Sequence, residues 1–163
     1  MSSKLQSTIG NTPLLILNNI CPNAKATILA KQESRNPMGS VKDRIALAMI
    51  EAGIQDGTIG EETTIIEATS GNTGLGLACV CATMNLPLIL TMPDSMSIER
   101  RMLLKHLGAQ LVLTPAAGGM KGAIAAAEEL LAKTPQSFMV RQFSNPANPK
   151  IRRKTCFYFR GVQ

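Results

Sequence analysis

Tryptophan is absent from this 163-residue sequence, and tyrosine and phenylalanine together supply only five residues. Its interior therefore has to be aliphatic, built from Leu, Ile, Val, Ala and nine Met. With so few aromatics, and no basic stripe interleaved with them, nucleic acid is excluded as a partner. There is one histidine, His106, and the four cysteines (Cys21, Cys79, Cys81 and Cys156) form no C-x-x-C pair. That excludes a structural zinc site, and no metal ligands are expected. The cysteines read as small buried apolar groups of a reducing compartment. No apolar run approaches about 18 residues and no secretory leader is present, so no membrane partner is expected and the chain should be cytoplasmic.

Acidic residues are missing from the last fourteen positions, which hold Lys150, Arg152, Arg153, Lys154 and Arg160. These five create most of the net charge of +6; without them 12 basic residues face 11 acidic ones. The body of the chain is balanced. By length it is one domain or a large fragment of a longer protein.

Short apolar runs at 14–17 and 27–31 read as strands. From about residue 60 the chain alternates. Strands are predicted at 63–67, 87–92, 110–113 and 138–140. Helices are predicted at 73–84, 97–107 (stopped by Gly108) and 120–132. Apolar strands alternating with helices predict an α/β fold with a parallel twisted sheet and helices on both faces.

Two stretches carry chemistry. In Ser34-Arg35-Asn36-Pro37-Met38-Gly39-Ser40-Val41-Lys42-Asp43-Arg44, the Asn, Pro and Gly mark a loop and Ser40 reads as an N-cap. The apolar periodicity after it places Lys42 in the first turn of a helix. The partial positive charge of a helix N-terminus disfavours a cation there and favours the neutral, nucleophilic amine. The plain alternative is a solvated lysine offset by Asp43. In Glu67-Ala68-Thr69-Ser70-Gly71-Asn72-Thr73-Gly74, a Gly-rich turn leads from strand to helix. Converging N–H groups, hydroxyls and an amide make such a turn an anion site; the plain alternative is an ordinary strand-to-helix turn. A dinucleotide fingerprint fits poorly, because Gly71, Gly74 and Gly76 have its spacing reversed and Pro93 precedes Asp94. His106 has no G-x-S-x-G beside it and reads as a surface or packing residue. Met96 and Met120 read as core fillers, and Arg100 and Arg101 as a solvated helix face.

Taken together, the two stretches resemble the pyridoxal-phosphate enzymes of the cysteine synthase (O-acetylserine sulfhydrylase) family. Matching segments at 9–14, 92–101, 119–123 and 142–149 extend the resemblance, in order, from about residue 8 to about residue 155. It implies a fold type II, tryptophan synthase β-like enzyme with pyridoxal 5'-phosphate as cofactor and the amino-acid substrate and sulfide as partners. Residues 1–41 would be strands of a large domain, 42–149 the small α/β domain, and 150–163 an aberrant basic and aromatic tail. Lys42 would carry the cofactor and move the Cα proton of O-acetylserine. Asn72 would hydrogen-bond the ring hydroxyl. Thr69, Ser70, Gly71, Thr73 and Gln142 would hold the substrate carboxylate. Acetate leaves and sulfide adds at Cβ. Full-length members would be homodimers.

The resemblance stops at roughly half the family's usual length, before its phosphate-cradling Gly-rich loop and the hydroxyl residue that partners the ring nitrogen. Residues 157–159 hold three of the five aromatics and fit none of the pattern; a frameshift or displaced gene end is expected. The alternatives are a cystathionine β-synthase-like enzyme and a non-catalytic short paralogue that binds a full-length partner. The segments at 97–101 and 142–143 favour cysteine synthase.

Overall fold

The computed structural model of the chain describes residues 5–18, 27–69 and 71–156. After a 3-10 turn at Leu5–Thr8 come β1 (Leu14–Ile16) and β2 (Leu29–Lys31), and a second 3-10 turn at Glu33–Arg35 precedes α1 (Lys42–Gln55). Next come β3 (Thr64–Ala68), α2 (Asn72–Met84), β4 (Leu88–Pro93), α3 (Ile98–His106), β5 (Gln110–Thr114), α4 (Gly119–Lys133), β6 (Ser137–Met139) and α5 (Ala147–Cys156). The expected alternation of strand and helix is present, with ends shifted by a residue or two. The sequence reading assigned no element to α5, which is highly charged and packs on α1 through Ile151 and the buried Ala147.

β1 and β2 form an antiparallel pair of their own, in the register Leu14 to Lys31 and Ile16 to Leu29. The other four strands make one parallel sheet in the order β5-β4-β3-β6. Alternating side chains build a core on each face of it. On one face Ile65 of β3 and Leu88, Leu90 and Met92 of β4 meet Leu77, Ala78, Val80 and Cys81 of α2, with Ile45, Met49 and Ile50 of α1 stacked beyond. On the other face Ile66 and Ala68 meet Ala123 and Ala127 of α4. Those alanines are one helical turn apart, and their small size brings α4 close enough for the Thr91 hydroxyl to donate to the Ala123 carbonyl at 2.7 Å. Cys79 and Cys81 are buried free thiols, and burial pushes Cys81 up to about 12. Cys21 and residues 157–163 lie outside the described residues, and the side chain of Cys156 is not described.

The strand order fixes where a ligand can sit. After β3 the chain leaves into α2 and runs to β4; β6 returns on the opposite side of β3. The loops after β3 and β6 therefore lie side by side at the carboxyl ends of these two neighbouring strands, where a crevice forms. Open α/β sheets bind ligands at such a switch point.

Two devices set the lysine-bearing helix against this crevice. The first is a glycine. A Cβ on Gly76 of α2 would lie 3.1 Å from the Lys42 carbonyl oxygen, 3.1 Å from the Ala46 Cβ and 3.3 Å from the Asp43 Cα. Two of these neighbours are backbone and cannot swing aside, so α1 can lie this close to α2 only because position 76 has no side chain. The second is a buried clip. The Arg44 guanidinium donates to both carboxylate oxygens of Glu33, at 2.8 and 2.9 Å, and to Thr12 at 2.9 Å. Asn36 donates to Glu33 at 2.8 Å and accepts the Gly10 N–H at 2.8 Å. The clip ties residues 10–12, 33 and 36 to the first turn of α1.

Gly76→Ala should destabilise the chain by about 1–2 kcal/mol, because overpacking against fixed backbone outweighs the roughly 1 kcal/mol of helix propensity that alanine adds. Chemical denaturation of the variant beside wild type checks this; equal or higher stability would show that the two helices can slide apart freely.

Candidate functional site

The loop after β3 carries Thr69 and Gly71, and the first turn of α2 carries Asn72 and Thr73. Gly71 occupies the N-cap position, where no side chain caps α2. The first N–H groups of a helix lack intrahelical partners, so the head of α2 presents the Asn72 and Thr73 N–H groups, which have no partner among the described residues, and the positive end of the helix dipole. Gly74 keeps the turn tight: a Cβ there would lie 3.1 Å from the Thr69 methyl. Thr69 and Thr73 are buried, whereas Asn72 is exposed at the rim. Ser70 lies outside the described residues.

The loop after β6 carries Gln142, buried, whose side-chain oxygen accepts the Thr73 hydroxyl at 2.6 Å across 69 residues of chain. Asn148 donates to the Gln142 carbonyl at 2.7 Å. Glu67, the next-to-last residue of β3, is 3% exposed and accepts the backbone N–H groups of Arg141 at 2.7 Å and Gln142 at 3.2 Å. Burial pushes its carboxyl above the usual range, against the two N–H groups that favour the charged form.

Lys42 enters from α1. The Ser40 hydroxyl accepts the Lys42 N–H at 3.1 Å, but the N-cap is Val41, one residue after the expected Ser40, because the backbone is already helical there. The neighbouring carboxylate does not offset the amine. Asp43 turns inward, 1% exposed, and accepts the Met38 N–H at 2.6 Å. Burial holds its carboxyl above the usual range. Among the described residues the Lys42 amine has no ion-pair or hydrogen-bond partner.

One cavity of about 570 Å³ is lined by Lys42, Glu67, Thr69, Gly71, Asn72, Thr73 and Gln142. Six of the seven residues singled out from sequence are thus brought together, and the seventh is Ser70. Met120, Ile124 and Met139 form its apolar wall, and Arg141, Phe143 and Ser144 continue its rim. Met120, expected as a core filler, is instead 38% exposed at this wall, because α4 turns its N-terminal end to the crevice. Arg101 is not a solvated face either: its guanidinium folds back to the carbonyls of Asp94 and Met96. His106 is exposed, and Met96 packs against the core. Glu67 and Ile124 were given no role in the sequence reading, and Met120 only that of a core filler. A carboxylate closing an otherwise apolar strand was the available signal for Glu67; the helix at 120–132 was expected, but nothing in its spacing marked it as a wall of the cavity.

Fold and cleft together define an α/β protein that can hold a small carboxylate beside an unpaired amine. The family model described as pyridoxal-phosphate dependent enzyme matches residues 5–158. A cysteine synthase from Flavobacterium sp. is 55% identical over 148 residues, covering 91% of this chain and 48% of that protein. The structure of a hydrogen sulfide-producing enzyme from Fusobacterium nucleatum superposes with a TM-score of 0.85 at 45% identity, over 96% of this chain and 52% of that one. An O-acetylserine-dependent cystathionine β-synthase from Helicobacter pylori superposes with a TM-score of 0.86 at 38% identity, over the same shares. The chain belongs to the pyridoxal-phosphate dependent enzyme family. It spans about half the length of the curated relatives it matches. Its sheet and helices are those of the fold type II, cysteine synthase-like enzymes. Among the described residues no helix is long and apolar enough to cross a membrane, and no cluster of His, Cys, Asp and Glu could hold a metal ion.

The cavity also fits the family's cofactor. An amine without a partner, a rim amide and an apolar wall face one space, and about 300–1,000 Å³ is the usual size of a small-molecule site.

The clip behind the lysine loop has a pH signature. Burial acts to raise the Glu33 carboxyl, but hydrogen bonds from Arg44, Thr12 and Asn36 and the Arg44 charge outweigh it and hold the group below its usual range. A depressed carboxyl contributes stability above its unfolded-state value, and that contribution is lost as pH falls through the folded value. Asp43 and Glu67 are raised and have the opposite sign: their stability contribution is present at low pH and lost as pH rises through their folded values. Glu33→Gln should therefore be less stable than wild type at neutral pH, and the gap should close in acid. Urea unfolding of both proteins across that range checks it, and a gap independent of pH would contradict the assignment.

Proposed function

We propose that this chain is the lysine-bearing half of a cysteine synthase, which forms L-cysteine from O-acetylserine and sulfide with pyridoxal phosphate. The observation that carries the reading is the Thr73–Gln142 hydrogen bond, made in the lining of the cavity that Lys42 also lines. It sets hydroxyl and amide groups from two loops beside the uncapped head of α2, facing an amine.

In this reading residues 42–149 are the substrate-carboxylate domain and residues 1–41 belong to a larger neighbour. Thr69, Ser70, Gly71, Thr73 and Gln142, with the first N–H groups of α2, hold the substrate carboxylate. Asn72 donates to the ring hydroxyl of the cofactor. Lys42 holds the cofactor and then takes the proton from Cα of the substrate. Met120, Ile124 and Met139 give the ring an apolar face and keep water from the reacting carbon. When bound, the cofactor supplies the electron sink that makes the Cα proton removable. Loss of acetate from Cβ and addition of sulfide at the same carbon complete the reaction. The full-length protein would act as a homodimer. A cystathionine-forming enzyme would differ in its acceptor, and activity with homocysteine in place of sulfide would favour that reading.

In a version completed to the length of its relatives, Lys42→Ala should abolish cysteine formation and remove the visible absorption band of the bound cofactor. Lys42→Arg should fail as well, because a guanidinium stays protonated and cannot act as the nucleophilic amine. Sulfide-dependent cysteine formation by Lys42→Ala would overturn the assignment.

The 163-residue chain alone should form little or no cysteine. Leu14, Leu15 and Ile16 of β1 are 56%, 46% and 61% exposed, an apolar strand with neither face covered. The resemblance places the family's phosphate-cradling Gly-rich loop beyond the matched residues. Charge-assisted hydrogen bonds contribute about 1.5–3 kcal/mol each, so two or three missing ones weaken binding by several powers of ten. Assay of the purified chain with pyridoxal phosphate, O-acetylserine and sulfide checks this. Turnover like that of a full-length relative would show the argument wrong.

A further inference from the structure

Glu67 is not among the residues that would touch substrate, yet the edge of the cleft is built on it. Its two carboxylate oxygens divide two consecutive backbone donors, Oε2 taking the Arg141 N–H at 2.7 Å and Oε1 the Gln142 N–H at 3.2 Å. Consecutive N–H groups converge this way where the backbone turns through the left-handed region, as in the anion-binding concavities of turns. Arg141 is there, at φ 52. A non-glycine residue in that region has to be held by its surroundings. Glu67 is the anion that holds it, brought within the molecule from the strand next to β6.

Pinning the turn also places Gln142. Its N–H is fixed by Glu67, its carbonyl by Asn148 at 2.7 Å and its side-chain oxygen by Thr73 at 2.6 Å. The Thr73 proton is spent on Gln142, and among the described residues the Gln142 amide NH₂ has no partner, so it is the donor the pair can offer. Where that donor stands depends on where Glu67 pins the turn. A neutral amide could not do the same, since glutamine offers one acceptor oxygen and would turn its NH₂ toward the second N–H. This explains why a carboxylate stays buried at 3% exposure next to an apolar core.

We propose that Glu67 is the positioning residue of the carboxylate-binding edge, acting through the 141–142 backbone to set the Gln142 amide opposite the head of α2. The proposal rests on the reading of that edge as a carboxylate site.

The test is hydrogen exchange, read by mass spectrometry on the 163-residue chain, with and without L-serine as an α-amino carboxylate probe. Peptides covering 140–144 report the turn, and peptides covering 88–93 report the fold. Glu67→Gln should speed exchange in 140–144 by roughly 10- to 100-fold, the loss of one charge-assisted hydrogen bond. It should leave 88–93 protected and abolish any further protection by L-serine. Glu67→Asp keeps the charge but shortens the reach, and should give intermediate exchange; it carries the test if Glu67→Gln does not fold. Thr73→Val should weaken protection by L-serine without speeding 140–144 in the free chain. The proposal is overturned if Glu67→Gln exchanges like wild type in 140–144, or if it loses that protection and still responds fully to L-serine. A wild-type chain that gains no protection from L-serine overturns the carboxylate reading itself, and the exchange of the free chains separates that failure from a failure of Glu67.

Discussion

Two helices touch at a glycine, and from that contact the rest of the cleft takes its geometry. Gly76 lets α1 lie against α2 with the Lys42 carbonyl 3.1 Å from where a side chain would begin. Because Lys42 opens α1 and Asn72 opens α2, the close crossing brings the amine beside the uncapped head of the second helix. A larger residue would separate the helices and carry the lysine away from the donors. Interiors pack at the density of organic crystals, so such a displacement would spread through the core rather than be absorbed locally.

Charged groups are used here away from the chemistry. Glu33 and Arg44 pair in a bidentate arrangement and hold the segment before the lysine to the helix that carries it. Glu67 and Asp43 are buried carboxylates with backbone N–H partners, each closing a turn on one side of the cleft. Isolated buried charges are costly, but a carboxylate that receives backbone N–H groups offsets part of that cost and fixes a turn with two directions of constraint. Lys42 differs. It is half-buried, and among the described residues its amine has no partner. An unpaired amine at a cleft is available for chemistry, whereas a paired one serves the structure.

The region outside the parallel sheet behaves differently. The β1–β2 pair exposes Leu14, Leu15 and Ile16, so apolar side chains on both faces of the strand meet solvent at once. Exposed apolar edges mark surfaces that are covered in a larger assembly or that aggregate. The relatives it matches are about twice as long, which gives the uncovered strands a physical context.

Much of this was set by the sequence alone. Short apolar runs, alternating with helical stretches, located the strands and helices from β3 to β6, since strands of a parallel sheet are covered on both faces. The glycines, hydroxyls and lysine of two short motifs named the residues at the cleft. What tertiary structure decided was their meeting. Thr73 and Gln142 are 69 positions apart, and only the β5-β4-β3-β6 order puts their loops side by side at one crevice. Helix α5 escaped the sequence reading because a helix of lysines and arginines is held by its few apolar contacts to α1, which no local pattern announces. Met120 was misplaced for the same reason: a methionine at a helix start reads as core until the helix is seen to end at a cleft. Glu67 shows the limit most plainly. In sequence it ends a strand, and its role appears only when the backbone of Arg141, 74 residues later, folds back to meet it.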